Sequence, residues 1–314
     1  MHQDLPNGAI DYCQVCSSHD LEQILNLGHH PPCDSLLTSD QLKQSETVYP
    51  LNLVRCVSCG LVQIDYVVPP EVLFHPDYPY RSGITPTLAR NLQNTGKLLV
   101  EKFGLGPGSL AVDIGSNDGT LLKGFKSKGL NVLGVEATNI SQIAIQDGIE
   151  TLQAFFSESV AEQIVGKFGH ASVVTAANMF AHVPNLGDLL RGVSHLLIDG
   201  GTFVTESHYL LDLIETTQYD SIYQEHLKYY SLKPLQLLFD DFGYTLVDID
   251  RIPNYGGSIR AYATKGRGLA VSGTLANLLQ EEEKAGLYDA RCYDSFRKTV
   301  LQSKLDLQEL LLRL

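Results

Sequence analysis

Basic residues are scarce in this 314-residue chain. Lysine and arginine number 23 against 36 aspartates and glutamates, a formal net charge of −13. Gripping a phosphate backbone calls for a basic face, so this balance argues against nucleic acid as a partner. A few arginines and lysines can still build a local anion site. Long apolar runs are missing too: none approaches the roughly 18 residues of a membrane span. Residues Met1 to Pro6 carry neither a basic nor an apolar stretch, so no secretory leader is expected and the expected compartment is the cytoplasm. Blocks of like charge are short, and Glu281 to Glu283 reads as a solvated helix face. The rest of the composition, 44% hydrophobic and 19% charged, is that of a globular protein long enough for two or three cored domains.

Cysteine is nearly absent after residue 60, where only Cys292 remains. The other five crowd the N-terminus, four of them in two C-x-x-C knuckles, Cys13/Cys16 and Cys56/Cys59. In a reducing compartment such pairs bind metal more often than they form disulfides. Four thiolates give tetrahedral zinc a closed, structural shell; free thiols or a redox pair are the alternatives. The long gap between the knuckles calls for an extended or small-sheet insert, and Gly60 suits the turn that wraps the metal. Cys33 and Cys292 lack partners at ligand spacing and read as ordinary buried thiols. Next comes Phe74 to Gly83, made irregular by Pro76 and Pro79. It puts Tyr78, Tyr80 and Arg81 on a loop that can cross a site or simply pack as a linker.

A G-x-G-x-x-G dinucleotide pattern is also missing. In its place stands Ala111-Val-Asp-Ile-Gly-Ser-Asn-Asp-Gly119. It predicts a buried strand ending in Asp113, a turn through Gly115, Ser116, Asn117 and Gly119, and a helix from about Thr120. Such a turn gathers backbone N–H groups at a helix start, and Glu136 at the tip of the next strand can accept from ribose hydroxyls. An acid before the first glycine repels a pyrophosphate but suits a cationic methionine moiety. This resembles motif I of class I S-adenosylmethionine methyltransferases. A ligand-free tight turn is the plain alternative.

Around this loop the periodicity predicts a helix over 84–103 and strands at 109–113, 131–135, 149–153, 171–176 and 201–206, the order of a doubly wound α/β sheet. Ligands bind beyond the carboxyl ends of such strands, which brings Asn178 and His182 to the mouth of the cleft. After the fifth strand, Tyr219 to Ser231 is dense in proton-carrying groups. Imidazole titrates near neutrality and suits a general base. A helix would set Tyr223 and His226 on one face, and Ser231 would cap the next helix, 232–242. Farther on, Arg260 of Asn254-Tyr-Gly-Gly-Ser-Ile-Arg260 could contact an anion. From Leu275 to Leu314 the pattern is helical.

Taken together, the chain resembles the deoxysugar C-methyltransferases. The paired knuckles, the Asp113-to-Gly119 loop, and Tyr223-Gln-Glu-His226 followed by Asn254-Tyr-Gly-Gly-Ser-Ile-Arg260 carry the resemblance over residues 13 to about 264. It implies a zinc-binding module (1–75), a Rossmann-like methyltransferase domain using S-adenosylmethionine (SAM) (76–265), and a helical C-terminal segment (266–314); since such enzymes usually carry a further C-terminal domain, the expectation is either a naturally short chain or an incomplete third domain. The implied substrate is a nucleotide-linked keto sugar, deprotonated beside its carbonyl and methylated on the enolate carbon. His226 is then the base, with Glu225 nearby. Tyr223 and His182 hold the keto oxygen or relay protons, and Tyr78 or Tyr80 reaches in from the N-terminal loop. An O- or N-methyltransferase and a non-catalytic zinc- and SAM-binding partner remain as rivals.

Overall fold

The computed structural model describes residues 6–314; the first five, which bear on the reading of a leader, lie outside the described residues. The N-terminal module is built from short strands: β1 (Gly8–Ala9), β2 (Leu21–His30), β3 (Tyr49–Cys56), β4 (Val62–Ile64) and β5 (Tyr66–Val67). β2, β3 and β4 pair antiparallel, and β1 pairs with β5. The predicted insert between the knuckles is thus a hairpin of β2 and β3. At the second knuckle the Gly60 N–H bonds the Cys56 carbonyl at 2.9 Å. Its φ of +82° is backbone that glycine adopts without a Cβ penalty.

A single turn, α1 (Pro70–Leu73), leads into the irregular loop and then α2 (Pro86–Lys102). Thr85 caps α2 by accepting from Leu88 N, and a proline occupies its first turn, where no N–H is needed. Strand and helix then alternate: β6 (Leu110–Ile114), α3 (Thr120–Lys126), β7 (Asn131–Glu136), α4 (Ser141–Gln146), β8 (Thr151–Gln153), α5 (Glu158–Phe168), β9 (Ala171–Ala177), α6 (Leu186–Leu196) and β10 (Leu197–His208). After these come α7 (Leu210–Glu215), β11 (Lys228–Tyr229), α8 (Leu232–Asp241), β12 (Tyr244–Ile252), β13 (Ser258–Lys265), α9 (Gly273–Lys284) and α10 (Ala290–Leu312).

One seven-stranded sheet has the order β12-β13-β10-β9-β6-β7-β8. Its strands from β10 to β8 are parallel, and β13 and β12 add an antiparallel hairpin. Every residue of β6 is buried, as expected for a central parallel strand covered on both faces. The order reverses between β6 and β9, the switch point where such sheets open a ligand crevice.

β11 does not join this sheet. It pairs with β4, Lys228 opposite Gln63 and Tyr229 opposite Val62, and completes the sheet order β11-β4-β3-β2. The segment after the fifth strand is therefore hydrogen-bonded to the N-terminal module.

Several local expectations are corrected. Tyr223 and His226 lie on a turn, not a helix, with His226 N bonded to Tyr223 O at 3.0 Å. Ser231 precedes α8, but its side chain does not cap the helix. That role belongs to Glu282, whose carboxylate accepts from Leu232 N at 3.0 Å and 3.1 Å. Glu282 is thus no part of a solvated face: it is fully buried and also accepts from Tyr209 Oη at 2.9 Å. Cys33 is exposed rather than buried, and Cys292 is half-buried. The C-terminal helical region is two helices, α9 and α10. Arg297 of α10 donates to Ile24 O of β2 at 2.8 Å. Among the described residues no helix is long and apolar enough to cross a membrane.

Candidate functional site

The two knuckles converge. Cys13 Sγ lies 3.5 Å from Cys59 Sγ, and Cys16 Sγ 3.5 Å from Cys56 Sγ. All four sulfurs fall within 4.8 Å of one another. Zn–S bonds of about 2.3 Å in a tetrahedron set sulfurs about 3.8 Å apart, so the cluster fits zinc. The backbone N–H groups of Val15 and Cys16 point at Cys13 Sγ, as they would at a thiolate. The Cys59 hydrogen bond lowers Cys13 to about 6, whereas burial raises Cys16 to about 12. Thiols packed this tightly ionise together only around a cation.

A cavity of about 490 Å³ opens at the carboxyl ends of the parallel strands, within the roughly 300–1,000 Å³ of small-molecule sites. Asp113, Gly115, Ser116, Asn117, Glu136 and Asn178 line it. Gly119 stands behind the loop, where an added Cβ would meet Ile149 and Ala144. At Gly115, φ is +70° and an added Cβ would come 2.7 Å from Met179 Cγ, so no other residue fits.

Within the turn itself most amides are already bonded. The amides of Gly115 and Ser116 bond Val135 O, Asn117 N bonds Glu136 Oε2, Gly119 N bonds Ser116 O, and Thr120 N bonds Asp118 Oδ1. Beside them the turn presents carboxylate. Glu136 is held by Asn117 N at 2.9 Å and by Thr138 N and Oγ1 at 2.9 Å and 2.7 Å. A carboxylate has about four acceptor sites, so Oε2 keeps room for a ribose hydroxyl. Asp113 takes Thr175 Oγ1 at 2.5 Å, and burial raises its carboxyl to about 7. Ser116 Oγ is buried without a partner. These donors and acceptors fit the adenosine and methionine ends of SAM.

At the other end of the cavity stand His182, His208, Tyr223, Glu225 and His226. The His226 ring is 4.8 Å from that of His182 and 4.7 Å from that of His208, both edge-on. His226 Nδ1 lies 3.0 Å from the Ser221 carbonyl oxygen, which can only accept, so Nδ1 carries the hydrogen. Nε2 is then the lone-pair nitrogen, 3.0 Å from the Tyr223 hydroxyl. Burial holds His226 neutral, well below the ordinary imidazole range, and the His182 and His208 rings add to it. Burial likewise lowers His182 to about 3, so its 3.9 Å approach to Glu225 is no ion pair at neutral pH. Burial raises Glu225 to about 7 against the hydrogen bond from Tyr78 at 2.9 Å.

Tyr80 stands at the rim, its hydroxyl 2.9 Å from that of Tyr255. The loop bearing Tyr78 and Tyr80 is fastened to the glycine turn: Ser82 N donates to Asn117 Oδ1 at 2.8 Å and Gly83 N to Asp118 Oδ2 at 2.9 Å. Arg260 does not face the cavity as an anion contact. Its guanidinium pairs with Glu206 at 2.9 Å and donates to Thr95 Oγ1 at 2.9 Å, behind the sheet.

Among the lining residues not singled out in the sequence are His208, Asp34 and Lys228. His208 closes the fifth strand, a position the crevice rule for parallel sheets points to. Asp34 arrives from the N-terminal module with no sequence pattern to announce it, whereas Lys228 of β11 lies within the Tyr219–Ser231 segment. Lys228 is buried, its Nζ 2.5 Å from Val183 O, and burial lowers it to about 7.

Comparison with known proteins gives three consecutive family matches: a zinc binding domain over residues 13–74, a methyltransferase domain over 87–249 and a C-methyltransferase C-terminal domain over 253–314. The C-methyltransferase NovU of Streptomyces niveus is 34% identical over 303 residues, 96% of this chain and 72% of that protein. Solved structures are more distant. Magnesium protoporphyrin IX methyltransferase from Synechocystis with bound SAH aligns with 60% of this chain and 90% of its own, at TM-score 0.44 and 12% identity. A S-adenosylmethionine-dependent methyltransferase from Clostridium acetobutylicum aligns with 57% and 92%, at TM-score 0.44 and 11% identity.

Proposed function

Because this chain belongs to the SAM-dependent C-methyltransferases that carry a zinc-binding N-terminal domain, we propose that it methylates a carbon of a nucleotide-linked keto-deoxysugar by way of an enolate. The observation that carries this reading is the state of His226. Its Nδ1–H is tied to the Ser221 carbonyl, and its neutral Nε2 faces the Tyr223 hydroxyl at the reacting end of the cavity. A neutral imidazole with an oriented lone pair is what removal of a carbon-bound proton requires.

In this reading the sugar is held with its acidified C–H toward His226 Nε2. Tyr223 gives up its hydrogen bond to that nitrogen and turns its O–H to the keto oxygen. The proton passes to Nε2, the C–H electron pair forms the C=C bond, and the carbonyl π pair moves onto oxygen. Tyr223 and His182 donate to the charge that develops there, which stabilises the step. His208, edge-on to His226, helps fix the ring. When bound, SAM supplies the electrophilic methyl group, and Asp113, the Gly115–Gly119 turn, Glu136 and Asn178 are the residues that would hold it. A thiolate-held zinc persists in a reducing compartment, which supports a cytoplasmic location.

The test uses the full-length zinc protein, SAM with a labelled methyl, and a panel of nucleotide-linked keto sugars in deuterated water. The expected result is label on carbon and, in recovered unmethylated sugar, deuterium at that same carbon. Label on oxygen or nitrogen would move the protein to another class of methyl transfer. Absence of both exchange and transfer across the panel would overturn the reading.

A further inference from the structure

The loop between β2 and β3 sends Asp34 into the cavity beside Glu225. The Tyr78 hydroxyl lies 2.9 Å from Glu225 Oε2 and 3.2 Å from Asp34 Oδ2. A phenol has a single hydrogen to donate. That one hydrogen points between the two carboxyl oxygens, closer to Glu225, and brings the two acids together across it. Two carboxylates this close repel each other when both are charged, which favours keeping one of them protonated. The same physics lets neighbouring carboxylates elsewhere share a proton.

We propose that Asp34 is a positioning residue of this site, whose charge, brought against Glu225 across the Tyr78 hydroxyl, keeps the Glu225 carboxyl protonated and so a hydrogen-bond donor to the developing enolate oxygen. The proposal rests on the enolate reading above.

Burial says where the proton resides. Glu225 is 1% exposed, whereas Asp34 is only half-buried and keeps solvent for its charge. Burial is the main reason the Glu225 carboxyl is raised, and Asp34 adds to it. Of the other groups facing Glu225, the Tyr78 hydrogen bond favours the charged form and the rest give it no help. Tyr78 comes from the crossing loop and Cys33 from the Asp34 loop. His182 is neutral at 3.9 Å, and Tyr223 and His226 flank Glu225 on its own segment. Lys228, three residues after Glu225, spends its Nζ–H on Val183 O.

Glu225 Oε1 is buried in the cavity wall with no partner. With Oε2 accepting from Tyr78, a hydrogen on Oε1 is free for a ligand oxygen. No proton need leave the pair: it bonds the oxyanion while that charge exists and relaxes when the ketone reforms. The Asp34 loop is not placed by chance. Gln224 Nε2, next to Glu225, donates to His30 O at 3.0 Å and pins the end of β2 to the reacting segment.

The test needs no substrate. Full-length zinc protein is prepared with ¹³C-labelled glutamate carboxyls, and the Glu225 signal is assigned by its loss in Glu225→Gln. In wild type it should titrate near neutrality. In Asp34→Asn its midpoint should fall by at least about one pH unit, because the neighbouring carboxylate is gone. In Tyr78→Phe it should rise, because a hydrogen bond that favours the charged form is gone. The opposite signs separate the effect of the Asp34 charge from a general loosening of the loop, and Tyr78→Phe serves alone if Asp34→Asn does not fold. An unchanged midpoint in both variants, or movement in the same direction in both, would overturn the proposal. With an active keto sugar, the high-pH limb of deuterium exchange should fall in Asp34→Asn by the same interval. A wild type inactive on the whole panel would sink the enolate reading while leaving the titration to decide the pairing of Asp34 with Glu225.

Discussion

Gln14, between two zinc ligands, donates from Nε2 to the carbonyl of Leu227 at 3.4 Å, across 213 residues of sequence. Leu227 follows His226 directly. Its carbonyl also accepts from Ile64 N at 3.1 Å, and the Gln14 amide is itself held by Gln63 Oε1 at 2.8 Å. One hydrogen-bond network thus links the cysteine cluster, through β4 and its edge partner β11, to the residue that follows His226.

Zinc should therefore govern the reacting end of the cavity as well as the N-terminal module. Protein purified without added metal should carry about one zinc per chain. Structural zinc supplies apparent binding free energies of ~10–16 kcal/mol, which become folding free energy. Stripping it with a chelator, or Cys56→Ser, should lower the unfolding temperature and abolish methyl transfer together. A metal-free protein with normal stability and turnover would contradict this.

Glu136 should be a principal holder of SAM. Glu136→Ala should weaken SAM by ~1.5–3 kcal/mol, the range for hydrogen bonds to a charged group. It should also loosen the turn, because Asn117 N and Thr138 lose their acceptor. Titration calorimetry reads the affinity and thermal unfolding reads the turn. Unchanged SAM affinity, or tighter binding of NAD than of SAM, would contradict the assignment.

His226→Asn should cut turnover by about 10²–10⁴-fold, the usual worth of a general base. SAM affinity should hardly change, since its contacts lie at the other end of the cavity. Slowed exchange of the sugar C–H with deuterated water is the decisive readout. Normal exchange would pass the role of base to His182, His208 or Tyr223.

Glu282 makes a prediction about stability against pH. Burial raises its carboxyl to about 7, against hydrogen bonds from Tyr288, Leu232 N and Tyr209. A carboxyl raised on folding favours the folded state fully below its unfolded value near 4.5 and loses that contribution as pH climbs through 7. The loss should fall between about pH 4.5 and 7. Glu282→Gln should therefore flatten the stability profile over that window, unfolding at a higher temperature relative to wild type at pH 8 than at pH 5. A parallel offset at all pH values would refute this account.

Much was legible in the sequence because the relevant physics is local. Cysteine spacing marks a knuckle, an acid ahead of glycines marks a strand-to-helix turn, and alternating apolar runs mark a parallel sheet. The loop from Asp113 to Gly119, the acid at Glu136 and the strands around them need only near neighbours to be read. What tertiary structure decided is everything that depends on which chain segment supplies a partner. Glu282 stands in a run of three acids, yet it is buried because α9 packs it against the start of α8 and the Tyr209 hydroxyl. Arg260 reads as an anion contact until Glu206, from the neighbouring strand, takes its guanidinium. Tyr223 and His226 meet through a turn, since the chain there must reach across to pair with β4. Asp34 and His208 converge on Glu225 and His226 from distant parts of the chain. Periodicity and spacing record a residue's own element; desolvation and hydrogen-bond pairing depend on the elements packed against it, and those exist only once the chain has folded.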